Sequence, residues 1–319
     1  MPPDNIYRLK NFGLPALSSI DDFAHAMKLS PSTLRSLSIS SDSLYKTYYL
    51  PKKSGGKREI AQPCRELKAV QSWILRNILD KLNSSPYSKG FEIGTSILDN
   101  ATPHVGASYI LSIDLEDFFP SIPAYKVYGV FSSIGYNKEM SRLLMNLCTY
   151  YEVLPQGSPA SPKLANLVCA RLDARIQGYA GPRGITYTRY ADDITLSANT
   201  AIKMQKAKSF LGTIIAGEDL VINKRKTKIC GTKRQKKVTG LVLSENRVGI
   251  GRQKLREIRS AIYNLFTGKS VDYLFVNGWL SFVYSVDKKS YNRLYSYIDE
   301  YEKKFPSSVA KDNLIGKRD

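Results

Sequence analysis

The stretch that decides the fold is Ile185-Thr-Tyr-Thr-Arg-Tyr190-Ala-Asp192-Asp193-Ile-Thr-Leu-Ser197. Its two ends, residues 185–189 and 194–197, contain neither Gly nor Pro and are typical of β-strands. Two strands with so short a connection predict a β-hairpin that carries Asp192 and Asp193 at its tip. Adjacent carboxylates repel each other, so a divalent cation would stabilise the pair. Taken alone, the tetrapeptide 190–193 also fits a solvated Asp-Asp turn.

A second acidic segment, upstream of the hairpin, supplies a third carboxylate. The apolar run Tyr109-Ile-Leu-Ser-Ile-Asp114 predicts a buried strand that brings Asp114 to the edge of a sheet. Carboxylate oxygens are the hard ligands that Mg²⁺ prefers. Two such ions about 3.5–4 Å apart stabilise both the attacking and the leaving oxygen of a phosphoryl displacement. The alternative is three unrelated surface acids.

A third motif lies between the two acidic segments, in Leu154-Pro-Gln156-Gly-Ser-Pro-Ala-Ser161-Pro162. We expect Ser161 to cap a helix that begins at Pro162 and continues through residues 163–177 as one amphipathic run. A rigid turn of this kind can press Gln156 and its backbone against a flat partner such as a base pair. As a bare pattern, however, it is an ordinary loop that leads into a helix.

In the order acidic strand, PQG loop and YADD hairpin, the chain resembles the palm of a reverse transcriptase. This resemblance implies an α/β (α+β) right-hand polymerase with fingers, a palm of antiparallel sheet plus helices, and a small helical thumb. The expected boundaries are an N-terminal helical extension over 1–43, fingers and palm over 44–245, and the helical thumb over 246–319.

The resemblance also implies which residues bind metal. Asp114, Asp192 and Asp193 match the catalytic metal-binding triad, and the backbone carbonyl of Leu115 is an expected further ligand. The implied cofactor is a pair of Mg²⁺ ions, with Mn²⁺ as an alternative.

Four further residues match the nucleotide-binding positions of the family. Arg58 resembles the fingers arginine that contacts the triphosphate, and Phe119 the aromatic residue that excludes a 2′-hydroxyl. Gln156 matches the glutamine of the nucleotide pocket, and Lys226 the lysine near the departing pyrophosphate. The chain departs from the family at Thr95, where a basic residue is usual, so a template contact there is in doubt.

Two short motifs resemble signatures of retron reverse transcriptases. Asn100 and His104 belong to an NAxxH motif, and Val238-Thr239-Gly240 form a VTG motif. The resemblance implies that these residues bind a structured non-coding RNA that serves as template and primer. The alternative is an Asn/Pro turn and a strand end that only brace the palm.

The same resemblance implies the substrates, product and partners. Deoxynucleoside triphosphates are the substrates, and priming from a 2′-hydroxyl of the enzyme's own RNA leaves RNA-linked single-stranded DNA (msDNA). An effector or toxin protein and a role in defence against phage are also implied.

The positive net charge of the chain agrees with binding to a nucleic acid. The 319 residues carry a formal net charge of +19, and each third of the chain has more basic than acidic residues. An extended polyanion-binding surface is therefore a better interpretation than a single basic tail. Residues 224–237 hold eight basic residues and no acidic ones, which predicts a phosphate track or, alternatively, a solvated loop.

The cysteines and the apolar runs indicate the compartment. Four widely spaced cysteines show no metal-ligand or disulfide-framework spacing, so reduced thiols are expected. We find no signal pattern and no apolar run near ~18 residues. The expected location is the cytoplasm, without membrane contact.

Periodicity predicts the remaining elements. Helices are expected over 19–29, 31–39 and 66–82, a hairpin over 45–50 and 58–61, and three C-terminal helices near 253–267, 271–286 and 288–304. The first helix pair also imitates a DNA-reading helix-turn-helix, although simple packed pairs give the same pattern. In the last helix the stripe of Tyr291, Leu294, Ile298 and Tyr301 favours core over a nucleic-acid platform.

Three rival functions remain open from the sequence. A group II intron-type reverse transcriptase would share the catalytic motifs but usually carries a maturase segment after the thumb. An abortive-infection-type polymerase would keep the palm without needing a template. A non-catalytic RNA-binding scaffold would need neither the three aspartates nor the PQG loop.

Overall fold

Helices and three small antiparallel sheets make up residues 3–52 and 55–316, which the computed structural model describes. The N-terminal helices are α1 (Pro3–Asn11), α2 (Ile20–Met27) and α3 (Pro31–Ile39). Ser19 caps α2 in a capping box with Asp22, and Ser30 caps α3 ahead of Pro31. The predicted helix pair is confirmed, with the first helix slightly shorter than expected.

The helix pair packs against the rest of the chain. The Phe23 ring lies 5.2 Å from that of Trp73, and both Phe23 and Leu34 are fully buried. The N-terminal helices therefore share the main core of the protein.

A two-stranded hairpin and two helices follow. They are β1 (Tyr45–Pro51), β2 (Lys57–Pro63), α4 (Arg65–Asn77) and α5 (Ile97–Ala101). The strands pair antiparallel from Tyr45↔Pro63 to Pro51↔Lys57, which confirms the predicted hairpin; residues 53 and 54 of its basic tip lie outside the described residues. Helix α4 ends earlier than predicted, because residues 79–81 tighten into a 3₁₀ turn.

The central sheet and its helices come next in the chain. They are β3 (Tyr109–Asp114), α6 (Ala124–Ile134), α7 (Lys138–Cys148), α8 (Ser161–Val168), α9 (Ala170–Ala180), β4 (Thr186–Tyr190), β5 (Asp193–Ala198), α10 (Ala201–Ala216) and β6 (Lys228–Cys230). The strand order is β4-β5-β3-β6, and every neighbouring pair is antiparallel. This sheet carries both acidic segments.

The helix predicted after the PQG loop differs from expectation in two ways. It is interrupted at Cys169, where ψ is near 0° and the backbone N–H bonds back to Ala165 and Leu167. Helix α8 begins at Ser161 itself, with Ala160 at the capping position. The Ser161 hydroxyl is buried without a hydrogen-bond partner among the described residues, so the predicted serine cap is wrong.

The last part of the chain forms a small sheet and a helical bundle. These elements are β7 (Lys236–Val238), β8 (Leu241–Leu243), β9 (Val248–Gly249), α11 (Arg252–Phe266), α12 (Tyr273–Val286), α13 (Lys288–Lys304) and α14 (Ala310–Asn313). The three predicted C-terminal helices are confirmed to within two residues at each end. Tyr291, Leu294 and Ile298 are buried, so the stripe on α13 belongs to the core.

Two hydrophobic clusters underlie these elements. The larger spans Leu9 to Leu220, and the smaller joins Val238 through Ala310 with Ala101 and Ile110. The small sheet β7–β9 thus shares its core with the C-terminal helices, while the domain boundaries expected at 43/44 and 245/246 stay predictions. All four cysteines are free thiols. Within the described ranges, no helix has the length and apolar character needed to cross a bilayer.

Candidate active site

The YADD segment forms a tight hairpin tip. Tyr190 pairs with Asp193, so the loop consists of Ala191 and Asp192 alone. Ala191 is buried and adopts a left-handed backbone conformation with φ of 57°. Such a conformation is unfavourable for a residue with a side chain, so the surrounding structure must hold the tip in place.

The neighbouring strand brings the third aspartate to this tip. Asp114 is the register partner of Asp193 in the β3–β5 ladder, and the Leu115 N–H donates to the Asp192 carbonyl at 3.1 Å. Because β3 and β5 are antiparallel neighbours, the end of one strand lies beside the start of the other. The three predicted triad residues and the Leu115 peptide therefore meet at one sheet edge.

Burial and charge repulsion raise the pKa values of two of these carboxylates, those of Asp193 and Asp192. Burial, followed by repulsion from Asp192 and Asp114, raises the pKa of Asp193 to about 6. Burial and the Asp114 charge also raise the pKa of Asp192, while Lys226 and Arg58 oppose that rise. Crowding three carboxylates is therefore costly unless positive charge is brought to them.

Lys226 supplies such a charge. Its ammonium donates to the Asp114 carboxylate at 3.1 Å and forms an ion pair with the second oxygen of that group. The bond to Asp114 raises the pKa of Lys226. The Asn223 N–H donates to the Asp114 carbonyl at 2.8 Å, which attaches the lysine segment to the end of β3.

The residues present fit a divalent metal that binds together with a phosphate ligand. No three His, Cys, Asp or Glu side chains in the described chain are grouped closely enough to bind an ion unaided. Mg²⁺ usually takes one or two carboxylates and completes its shell with water and substrate phosphates. The mutual repulsion of Asp114, Asp192 and Asp193 gives such an ion a favourable place at the sheet edge.

The PQG loop is fastened to the first hairpin. The Ala61 N–H on β2 donates to the Gln156 carbonyl at 2.9 Å. Gly157 follows with φ of 144°, and a β-carbon there would lie 2.4 Å from the Ala61 carbonyl oxygen. Only glycine permits this approach. The half-buried Gln156 is thereby held against the hairpin, and its predicted nucleotide contact stays a prediction.

Aromatic rings line the sheet edge next to the tip. The half-buried Phe119 ring lies 5.5 Å from Phe118 and 6.2 Å from Phe91. Phe91 in turn lies 6.4 Å from Tyr190, the residue that opens the YADD turn. Phe119 is thus linked to the hairpin tip through Phe91, and its role in sugar selection stays a prediction.

Two other predictions concern the fingers. Arg58 is exposed on β2, and its charge partly opposes the rise that burial causes in the pKa of Asp192. Thr95 instead has a structural role, because its hydroxyl donates to the carbonyls of Lys89 and Glu92 at 2.8 and 2.9 Å.

Asn100 and His104, predicted to bind RNA, lie in the interior with no exposed surface. The His104 ring nitrogens lie 2.7 Å from the Ser197 hydroxyl and 2.8 Å from that of Thr188. His104 therefore links β4 to β5 beneath the YADD turn. Direct side-chain contact with RNA is excluded in this conformation, and the bracing alternative fits His104.

Burial makes His104 an acid-sensitive group. It lowers the pKa of His104 to about 4, whereas an unfolded histidine titrates near 6.5. Between these values the unfolded chain binds the extra proton, so stability falls as pH decreases, by up to ~3 kcal/mol. We expect His104→Gln to remove this part of the acid destabilisation between pH 6.5 and 4 in urea unfolding. His25→Gln, at the exposed second histidine, is the control; parallel wild-type and His104→Gln curves would contradict the assignment.

The VTG motif is divided between core and surface. Val238 is buried, while Thr239 and Gly240 form the turn between β7 and β8 with φ of 45° and 84°. A β-branched residue at positive φ is a strained outlier. The Thr239 hydroxyl donates to the Ile97 carbonyl at 3.3 Å. Of this motif, only the turn is placed to meet a ligand directly.

Sequence reasoning missed a buried polar network behind the hairpin. Arg189 donates twice to the Asp173 carboxylate, at 2.7 Å each, and both side chains are fully buried. A further Arg189 nitrogen donates to the Ala191 carbonyl at 3.1 Å and to Asn166 at 3.0 Å. The Tyr187 hydroxyl also donates to Asp173 at 2.5 Å. Arg189 thus connects the strained tip to helix α9.

The network also reaches the fingers. The Asn166 amide donates to the Gly90 carbonyl and to Glu92 at 2.7 Å each, and Glu92 accepts from Lys163 at 2.6 Å. Charged residues within 163–189 were the available signal, because Arg189 lies within strand β4 and Asp173 lies on helix α9, which packs against that strand. Their pairing is a tertiary contact that spacing does not reveal.

Three aspartates and a lysine meet at one edge of the central sheet, and the PQG loop is hydrogen-bonded to the first hairpin. Together these features define a nucleotide-polymerising palm. Comparison with known proteins identifies the family within this class of polymerases. Residues 50–243 match the family described as reverse transcriptase (RNA-dependent DNA polymerase).

Two relatives place the chain within that family. It is 57% identical to the retron Ec86 reverse transcriptase of Escherichia coli, over 94% of this chain and 95% of the relative. It is 32% identical to the retron Mx65 reverse transcriptase of Myxococcus xanthus, over 90% of this chain and 73% of the relative. The chain therefore belongs to the retron reverse transcriptases and is an RNA-directed DNA polymerase.

A solved structure agrees on the fold. Telomerase from Candida albicans, determined with a fragment of telomeric RNA, superposes with a TM-score of 0.51 at 14% identity. The match covers 83% of this chain and 56% of the telomerase chain. This likeness concerns the fold alone, and it agrees with the expected right-hand polymerase.

Proposed function

We propose that this enzyme reverse-transcribes its own structured non-coding RNA into RNA-linked single-stranded DNA (msDNA). The observation that carries the proposal is the register Asp114↔Asp193, which assembles the predicted triad in a chain 57% identical to a retron reverse transcriptase. Reverse transcriptases generally use divalent metal ions; here the proposed cofactor is a pair of Mg²⁺ ions, with Mn²⁺ as a substitute.

The reaction joins a hydroxyl of the primer to the α-phosphorus of a deoxynucleoside triphosphate and releases pyrophosphate. Metal bound at Asp114, Asp192 and Asp193 would stabilise the charge on the attacking and leaving oxygens. The protein then contributes placement and charge. Arg58 would contact the triphosphate from the fingers and Lys226 would neutralise the departing pyrophosphate.

The RNA partner is proposed to follow the basic segment 224–237. Its basic residues are exposed, apart from the half-buried Lys236, and they run from Lys226 at the triad to the VTG turn. Exposed lysine and arginine along such a path bind phosphates without sequence preference. Thr239 and Gly240 at its end are the surface part of the predicted RNA-binding set, with Asn100, His104 and Val238 as buried supports.

The defence role, the effector protein and a cytoplasmic location complete the proposal. They rest on the resemblance of the sequence motifs to those of retron reverse transcriptases. Free thiols at all four cysteines fit a reducing compartment.

Sequencing the nucleic acid that co-purifies tests the product directly. The enzyme is expressed with its flanking DNA, and the bound material is treated with ribonuclease, deoxyribonuclease or neither. We expect a DNA strand that shifts in size but persists after ribonuclease, because RNA is joined to it. Asp192→Asn protein should retain the RNA and lack the DNA. DNA without attached ribonucleotide, or active enzyme without bound RNA, would overturn the proposal.

Sugar selection gives a second test. If the Phe119 ring fills the space of a 2′-hydroxyl, Phe119→Ala should lower the ratio of dCTP to rCTP incorporation by about tenfold or more. Because Phe119 is only half-buried, the stability cost should stay below the ~3–5 kcal/mol of a fully buried ring. Phe91→Ala removes a ring from the same cluster and is the matched control. An unchanged ratio in folded Phe119→Ala protein would reassign the selectivity.

A further inference from the structure

A groove of about 310 Å³ lies between the β7–β8 turn and the helices α11 and α12. Its main lining residues are Lys237, Thr239, Gly240, Lys254, Trp279 and Phe282. None of its lining residues belongs to the triad or to the predicted nucleotide-binding set.

One wall of the groove is aromatic. Trp279 and Phe282 are half-buried on α12, with ring centroids 5.4 Å apart in an edge-to-face arrangement. The Lys254 ammonium lies 4.7 Å from the centre of the Trp279 ring, and it also pairs with Glu257. Such a wall offers a flat apolar surface for stacking beside a positive charge.

The opposite wall is the strained turn. Gly240 is exposed, and a β-carbon there would meet nothing within 4 Å. The backbone at this turn is therefore open to close approach by a ligand. Thr239 is held at positive φ by its bond to Ile97, and strain of this kind is often kept at binding sites.

Charge indicates the class of ligand. Lys237 lines the groove and ends the basic segment 224–237, in which Lys226 lies beside the triad. A polyanion that follows this segment from the catalytic edge would arrive at the groove. An aromatic wall, adjacent lysines and open backbone together suit an unpaired nucleotide, whose base stacks while its phosphate meets the cations.

We propose that this groove binds one unpaired nucleotide of the RNA partner, with its base against Trp279 and its phosphate near Lys237 and Lys254. The inference rests on the proposed RNA partner and adds a specific subsite for it. Because the subsite contains no residue of the triad, it would anchor the RNA during synthesis.

Trp279 provides its own reporter, because the chain has two tryptophans and the other, Trp73, packs on Phe23. In a Trp73→Phe background, Trp279 is the single tryptophan. The probes are a ten-nucleotide oligouridylate and a blunt twelve-base-pair RNA duplex, each also labelled so that anisotropy reports saturation. We expect the oligouridylate to quench Trp279 fluorescence and the saturating duplex to leave it unchanged.

Substitutions at Trp279 then measure how much its ring contributes to the affinity for oligouridylate. Trp279→Leu should weaken oligouridylate binding about 5–150-fold, the loss expected when one stacked base is removed, whereas Trp279→Phe should retain most of the affinity. Phe210→Leu, at an exposed ring stacked on Tyr179 outside the groove, is the control. Thermal unfolding confirms that each variant is folded.

Three results would overturn the inference. They are unchanged Trp279 fluorescence at saturating oligouridylate, wild-type affinity in folded Trp279→Leu, and equal quenching by hexaglutamate. Extension of oligo(dT) on poly(rA) is measured in parallel, because it depends on the triad. If that activity persists while the groove binds no RNA, only this inference fails and the polymerase assignment stands.

Discussion

Replacing Asp192 with Asn should lower DNA synthesis by about 10²–10³-fold or more while leaving the protein folded. The substitution keeps the shape of the side chain and removes one of the charges that would hold the metal. Burial and the Asp114 charge already raise the pKa of Asp192, so the folded protein disfavours its ionised form. Loss of that charge should therefore maintain or increase the free energy of unfolding without metal.

Two measurements separate the loss of catalysis from the loss of metal binding in Asp192→Asn. Extension of oligo(dT) on poly(rA) reports catalysis, and the change in melting temperature on adding MgCl₂ with a deoxynucleoside triphosphate reports metal binding. Wild-type protein should gain stability from the ligands, and the variant should gain much less. Asp219→Asn, at an exposed carboxylate paired with Lys126 at 3.0 Å, should change neither. Near-normal synthesis by Asp192→Asn would remove Asp192 from the catalytic set.

The triad could be predicted from sequence because its signals are local. A run without Gly or Pro on each side of Asp192-Asp193 permits little besides a hairpin, and strand β3 ends where its apolar run ends. The register Asp114↔Asp193 then follows from burial, since a one-residue slip would turn the apolar side chains outward. The predicted strands and the C-terminal helices are confirmed for the same reason.

Polar residues were harder to place, because residue type does not reveal burial. Asn100 and His104 have the chemistry to bind RNA, yet both are fully buried. Helix α8 ends at Val168 although the apolar periodicity continues through Ile176. For His104 the outcome is decided by tertiary contacts with Ser197 and Thr188, which are distant from it in the chain.

Arg189 is the residue where such a contact matters most. Replacing it with Met leaves the Asp173 carboxylate buried without its bidentate partner, which should destabilise the protein by ~3–5 kcal/mol. The same change removes the donor to the Ala191 carbonyl, which helps to hold the left-handed tip. Arg189→Met should therefore lose stability in urea unfolding and also lose DNA synthesis per folded molecule. The control is Arg183→Met, at an exposed arginine between α9 and β4 that donates to the Tyr179 carbonyl and lies over the Tyr179 ring. It should cost no more than ~1 kcal/mol.

A double variant distinguishes stability from positioning at the tip. In Arg189→Met with Asp173→Asn no buried charge is left unpaired, and the Tyr187 hydroxyl can still donate to the new amide oxygen. We expect much of the lost unfolding free energy to return, because the main penalty in the single variant is the isolated carboxylate. Synthesis should remain about 10²-fold low, since a small displacement of Asp192 is enough to misplace the metal and the α-phosphate. If the double variant regains wild-type synthesis along with its stability, Arg189 acts on the fold alone; if stability returns without synthesis, the guanidinium positions the catalytic turn.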